Sequence, residues 1–220
     1  ARIDAVRARI AEACARVGRD PGDVTLVGAT KTVPAARVRA AVAAGLSEVG
    51  ENRVQELREK HPLVPGARWH FFGPLQAGSA RHVAAFADVV HTLSPGGGLD
   101  RLAARLRDLD RTVDALIEVD LTGERHGVAP VDLPAFADRI AAIPGIRPLG
   151  LMTIAPLDPD PEAARPAFAR LRGLLGDLRA AHPGMLALSM GMSLDYAVAV
   201  EEGATMVRVG TALFGGRPSG

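Results

Sequence analysis

VTLVGATKT, residues 24–32, is the stretch on which the fold turns. Val24, Leu26 and Val27 make a short apolar run rich in β-branched residues, thinned by Gly28-Ala29. It ends in polar residues that include a single lysine, Lys31. A run that is apolar along its length and polar only at its C-terminal end fits a central strand buried on both faces. A lysine at that end stands at the mouth of a core, where a partly desolvated amine can form a Schiff base. It fits equally a strand-end cap whose stem is buried and whose ammonium reaches water.

Before this strand, Ile3, Val6, Ile10, Cys14 and Val17 recur at spacings of three and four. They predict an amphipathic helix over 2–17, stopped by Gly18 and turned by Asp20-Pro21-Gly22. After it, Pro34 opens a helix to about residue 44, with Gly45 as its stop. The pattern then repeats. Strands are expected at 46–50, 69–72, 88–92, 113–119, 146–153, 186–188 and 205–209. Helices are expected at 53–60, 79–87, 99–109, 133–143, 160–181 and 195–201. Eight strands alternating with helices predict parallel strands joined by right-handed crossovers. In 220 residues with no composition break, that count suits one α/β domain over 1–220: a (β/α)8 TIM barrel with an extra N-terminal helix. An open doubly wound sheet is the alternative.

Composition narrows the class. The formal net charge of +1 gives no field to draw nucleic acid or an anionic membrane. One cysteine, Cys14, excludes an internal disulfide and a Cys-rich metal site, and its place on the first helix points to a core thiol. No stretch approaches the ~18 apolar residues of a membrane span. No secretory leader is visible at the start, so a cytoplasmic protein is expected.

In a barrel, functional residues gather at the C-terminal ends of the strands. Lys31, Gly50-Glu51-Asn52, His70, Thr92, Met152-Thr153, Ser189 to Ser193 and Arg208 to Thr211 all fall at such positions in this reading. Ser189-Met190-Gly191-Met192-Ser193 joins a strand end to a helix start. Small residues there let backbone N–H groups approach an anion, and Ser193 adds a hydroxyl. Gly210-Thr211 follows the eighth strand, and loops after strands seven and eight are the usual phosphate site of such barrels. The plainer reading makes Ser193 an N-cap and Gly210 a turn residue. Arg208, between Val207 and Val209, faces opposite to both. Buried, it needs an acceptor: either a ligand's ring nitrogen or carboxylate, or a carboxylate inside the barrel such as Glu118.

LVGATKT, VGENRVQE, WHFFGPLQ, GLMTIAP, LSMGMSLDY and TMVRVGTALFG together resemble, in order and spacing, the YggS/PROSC family of pyridoxal 5′-phosphate homeostasis proteins. The resemblance spans nearly the whole chain and implies a barrel of the alanine racemase N-terminal-domain type. It implies that Lys31 holds pyridoxal 5′-phosphate as an internal aldimine and that Ser193, Gly210 and Thr211 hold the phosphate. Arg208 then faces the pyridine nitrogen, Asn52 lines the ring or its hydroxyl side, and His70 and Met152 are pocket walls. Two segments depart from the family pattern. Ala77-Gly78-Ser79 replaces an Asn- and Lys-bearing stretch, and Asp120 to Gly127 is shorter than the usual motif and lacks its lysine.

Three functions follow from these residues: a cofactor carrier without robust turnover, a racemase-like enzyme, and a cofactor-free Schiff-base aldolase. An arginine at the ring nitrogen weakens the ring as an electron sink, because guanidinium does not give up its proton. Racemisation also needs an acid/base opposite the lysine, and Tyr196, the one tyrosine, is placed for core packing. The carrier is the expected function. Its partners would be the cofactor and, beyond it, apo-enzymes that use it, with no nucleic acid or membrane, and a monomer is expected.

Overall fold

The computed structural model describes residues 2–123 and 126–216. Chain order is α1 (Arg2–Arg16), β1 (Thr25–Ala29), α2 (Ala35–Ala43), β2 (Glu48–Glu51), α3 (Val54–Lys60), β3 (Arg68–Phe71), α4 (Ala80–Phe86) and β4 (Val89–Leu93). It continues with α5 (Gly97–Asp108), β5 (Val113–Glu118), α6 (Leu133–Ala141), β6 (Ile146–Met152), α7 (Arg165–Leu178), β7 (Ala187–Ser189), α8 (Tyr196–Glu201), β8 (Met206–Val209) and α9 (Thr211–Phe214). The strands close in sequence order into a parallel barrel. The closing edge pairs β1 with β8, Val27 opposite Arg208 and Gly28 opposite Val209. This is the (β/α)8 barrel with an extra N-terminal helix that the alternation implied, rather than an open sheet.

Period-2 alternation sorts the strand residues into two layers. Leu26, Val49, Trp69, Phe71, Val90, Ile117, Leu188, Val207 and Val209 face outward and pack beneath the helices, where Leu57, Leu102, Leu106, Ile140, Phe168 and Leu171 are buried. Val89, Leu116, Met152 and Met206 form a small apolar cluster of their own inside the barrel. Gly28 is small for a packing reason: a Cβ there would lie 2.7 Å from Cδ2 of Leu46, which covers β1 from outside. Helix α1 buries Val6, Ile10, Ala13 and Cys14 and packs on α8 and α9, so Cys14 is the core thiol expected of it. Among the described residues, no helix is long and apolar enough to cross a membrane.

Three local expectations need correction. The helix expected over 160–181 starts later: Asp160 accepts from the Glu162 amide at 3.0 Å and caps a single 3₁₀ turn, Pro161–Ala164. The α-helix then begins at Arg165, with Pro166 in its first turn, where a missing N–H costs nothing. Of Gly210-Thr211, expected in the loop after the eighth strand, Thr211 instead opens the short α9. His70 is inside β3 rather than at its end, level with Gly50 and Val89. Of the departing stretch 120–127, residues 124 and 125 lie outside the described residues.

Candidate functional site

Lys31 lies in the turn after β1, partly buried. The turn is strained: Thr32 has φ +65°, a conformation that a β-branched residue rarely adopts. A buried polar cluster holds it. The Thr32 amide donates to Glu56 Oε2 at 2.8 Å. Lys60 Nζ donates to the Thr30 carbonyl, Glu51 Oε1 and Glu56 Oε2 at 2.8, 2.6 and 2.7 Å. Thr30 Oγ1 donates to Glu51 Oε1 at 2.5 Å, while Glu51 Oε2 is buried with no hydrogen-bond partner among the described residues. Burial pushes the Glu51 carboxyl up, against the pull of Lys60 and Thr30. Burial acts the same way on Glu56, but the Lys60 and Thr32 hydrogen bonds outweigh it and hold that carboxyl low. The motif residues Glu51 and Glu56, with Lys60 behind them, thus fix the backbone on both sides of Lys31. The sequence pattern placed Glu51 among the strand-end residues without a role and passed over Glu56 and Lys60, whose spacing of four was their signal.

Across the rim, the β7 and β8 loops build the second wall. Gly191 turns the chain with φ +91°, and a Cβ there would lie 2.5 Å from the Ala199 Cβ and 2.9 Å from the Tyr196 Cα. Its carbonyl accepts from the Arg208 amide at 3.0 Å. Asp195 Oδ1 accepts from the Met192 amide at 2.6 Å. Ser193 Oγ accepts from the Gly210 amide at 3.1 Å and the Ala212 amide at 3.4 Å. Two backbone amides therefore converge on one oxygen, the donor arrangement an anion oxygen needs. Thr211, exposed, begins α9 beside them. Register brings this wall to Lys31: β8 is the neighbour of β1, and a Cβ on Gly210 would sit 3.3 Å from the Ala29 carbonyl. Gly191→Ala combines a backbone strain with a clash. It is expected to lower stability by about 2–4 kcal/mol, read as a fall in the urea midpoint.

Arg208 is buried and turned into the barrel, opposite to Val207 and Val209 as alternation required. Its Nη1 donates to Ser189 Oγ at 2.6 Å and its Nη2 to the Thr153 carbonyl at 3.0 Å. Met152 is buried in the inner apolar cluster beneath it. Asn52 is exposed on the rim directly after β2. Thr92 is occupied structurally, its hydroxyl donating to the Gly73 carbonyl at 2.6 Å. His70 stands apart from these rim residues, and both its ring nitrogens are engaged: Nε2 is 2.6 Å from Glu48 Oε2 and Nδ1 is 2.7 Å from His91 Nε2.

Burial lowers the His70 pKa, against Glu48, which raises it. Burial, together with His70, Arg208 and Arg68, pushes His91 well down. Both imidazoles are therefore neutral in the fold at pH values where the unfolded chain, with an ordinary value of 6.5, is already taking up protons. The unfolded state binds more protons there, so stability is intact above about pH 6.5 and is lost as pH falls through the folded values. The expected slope approaches about 1.4 kcal/mol per pH unit for each histidine. Urea midpoints measured between pH 7.5 and 5 check it, and a flat profile would contradict it.

The alanine racemase N-terminal domain family model matches residues 2–218. A pyridoxal phosphate homeostasis protein of Pseudomonas aeruginosa is 42% identical over 222 residues, covering 99% of this chain and 95% of that protein. Its counterpart in Aquifex aeolicus is 40% identical, covering 98% of this chain and 97% of that one. The chain belongs to the family of pyridoxal phosphate homeostasis proteins. Among solved structures, PipY of Synechococcus elongatus, with PLP bound, is 36% identical, with TM-score 0.83, covering 94% of this chain and 100% of that one. An alanine racemase of Clostridium difficile superposes with TM-score 0.75 at 14% identity over 97% of this chain and 60% of its own, a likeness of fold alone.

Proposed function

We propose that this chain binds pyridoxal 5′-phosphate through Lys31 and serves the balance of that cofactor in the cell, buffering or delivering it without robust catalysis of its own. One observation carries the reading: the rim sets a lysine beside a pair of converging backbone amides, with a buried guanidinium on the strand that leads into those amides. A phosphorylated pyridine aldehyde asks for this donor set. The names of the relatives and the PLP-bound neighbour support it.

The roles divide by chemistry. Lys31 supplies an amine that condenses reversibly with an aldehyde, losing water. Ser193, Gly210 and Thr211 hold the phosphate. Arg208 faces the ring nitrogen, and its charge is permanent, so it donates without passing a proton. Asn52 lines the hydroxyl side, and Met152 closes the floor. His70 acts from below rather than as a contact. When bound, the cofactor supplies an electron sink that an arginine at its nitrogen keeps weak. Tyr196 supports a carrier over a racemase: its ring is buried in the outer core with the Arg9 guanidinium 5.5 Å from its centroid. We place the protein in the cytoplasm as a monomer, one barrel over 1–220, with apo-enzymes that need the cofactor as recipients.

Adding pyridoxal 5′-phosphate to the cofactor-free protein is expected to produce a visible absorption band that borohydride bleaches. No spectral change at a saturating concentration would end this reading and favour the aldolase. Turnover of a free amino acid at enzymic rates would favour the racemase.

A further inference from the structure

An unbroken row of short hydrogen bonds crosses the barrel interior from the rim to the opposite end. Arg208 Nη1 donates to Ser189 Oγ at 2.6 Å. Ser189 Oγ is 2.8 Å from His91 Nδ1, His91 Nε2 is 2.7 Å from His70 Nδ1, and His70 Nε2 is 2.6 Å from Glu48 Oε2. The five side chains come from β8, β7, β4, β3 and β2. Ser189, His70 and His91 are fully buried. Glu48 also lines a cleft of about 640 Å³ at the N-terminal end of the barrel, with Arg7, Thr25 and Ser47.

The ends of the row decide where its protons sit. A guanidinium only donates and a carboxylate only accepts. His70 must therefore carry its proton on Nε2, toward Glu48, which leaves Nδ1 bare to accept from His91 Nε2–H. His91 Nδ1 is then bare and accepts the Ser189 hydroxyl proton, and the Ser189 oxygen accepts from Arg208. Every donor meets an acceptor, both rings are neutral, and every N–H or O–H points from Arg208 toward Glu48. The reverse order leaves the Ser189 proton without a partner in the row and asks either Glu48 to donate or the fully buried His70 to carry a second proton.

We propose that this row is a one-way hydrogen-bond chain that positions Arg208 for the cofactor's ring and couples it to the Glu48 carboxylate at the far end of the barrel. Glu48, His70, His91 and Ser189 are positioning residues in it. The role rests on the reading of Arg208 given above, but the proton order does not. Aligned bonds polarise one another in a low-dielectric interior, so a cation at one end and an anion at the other lock a single orientation. The guanidinium is then in place before cofactor enters and after it leaves, which suits a protein that gives its ligand up. The charged groups facing the two rings are Glu48 from β2, Arg68 from β3, Asp88 before β4 and Arg208 from β8, and burial of both rings favours their neutral forms.

Nitrogen-15 NMR of the histidine rings in cofactor-free protein at neutral pH tests the order directly. Both His70 and His91 are expected as Nε2–H tautomers. An Nδ1–H tautomer, or an imidazolium at either position, would overturn the proposal. Glu48→Gln keeps an acceptor for His70 but adds a donor and removes the charge. It is expected to admit a second tautomer population and to weaken pyridoxal 5′-phosphate retention about three- to tenfold. Unchanged tautomers with unchanged retention would overturn the coupling. Should this variant fold poorly, the spectrum of the unaltered protein still decides the order. Failure of the cofactor reading would appear instead as no spectral response in the unaltered protein.

Discussion

Lys31→Ala is expected to abolish covalent capture of pyridoxal 5′-phosphate while leaving the fold at nearly full stability. The chain has two lysines, Lys31 and Lys60. Lys60 is buried, and its ammonium is spent on a carbonyl and two carboxylates, all within 2.8 Å. An amine whose donors are all engaged in a buried cluster is not free to condense with an aldehyde, so it does not substitute. After borohydride reduction, mass spectrometry should therefore find the added mass on the Lys31 peptide of the unaltered protein and on no internal peptide of the variant. Retention of unreduced cofactor should fall but not vanish, because the Ser193–Gly210–Ala212 cradle and Arg208 are untouched. Lys31 is partly exposed and, among the described residues, has no hydrogen-bond or ion-pair partner. The stability change should stay within about 0.5 kcal/mol. Equal labelling of the variant would remove Lys31 from the site.

The barrel was legible because its signal is local and repeated. Each βα unit carries its own apolar run, its own stop and its own crossover, and closure follows from their number. The positions of Lys31, Ser193 and Gly210 in the fold were legible for the same reason, since each follows a strand, and the inward turn of Arg208 was legible from alternation. What local pattern does not carry is stagger. Alternation shows that Glu48, His70, His91 and Ser189 point inward, but not that they meet, because the strands tilt and shift in a closed barrel. His70 was accordingly read as a rim residue, whereas it bonds downward to Glu48. The Thr30–Glu51–Lys60 contacts were hidden in the same way. They span thirty residues between Thr30 and Lys60 and arise where β1, β2 and α3 come together.

That cluster makes the second large prediction. Lys60→Met is expected to destabilise the protein by about 3–5 kcal/mol, the cost of leaving a buried charge without its partner. Glu51 is fully buried and, among the described residues, would keep only the Thr30 hydroxyl as a donor. With the ammonium gone, its carboxyl would titrate still higher than burial already sets it, above the ordinary value of 4.5. An acid whose folded pKa is raised loses stability as pH rises through that folded value and regains it below. The gap in urea midpoint between the unaltered protein and the variant should therefore be widest near pH 7.5 and should narrow toward pH 5. Adding Glu51→Gln to Lys60→Met should recover part of the loss, because the buried group is then neutral and still accepts from Thr30. The effect should also reach the rim. Thr32 is held at φ +65° by a Glu56 carboxylate that Lys60 itself anchors. Without that anchor the turn can relax to an ordinary conformation, and Lys31 loses its fixed bearing on Gly210. Lys60→Met should thus weaken cofactor retention in the folded fraction, at concentrations of urea well below its transition. A variant that is destabilised but retains cofactor as the unaltered protein does would confine Lys60 to stability and separate it from the placement of Lys31.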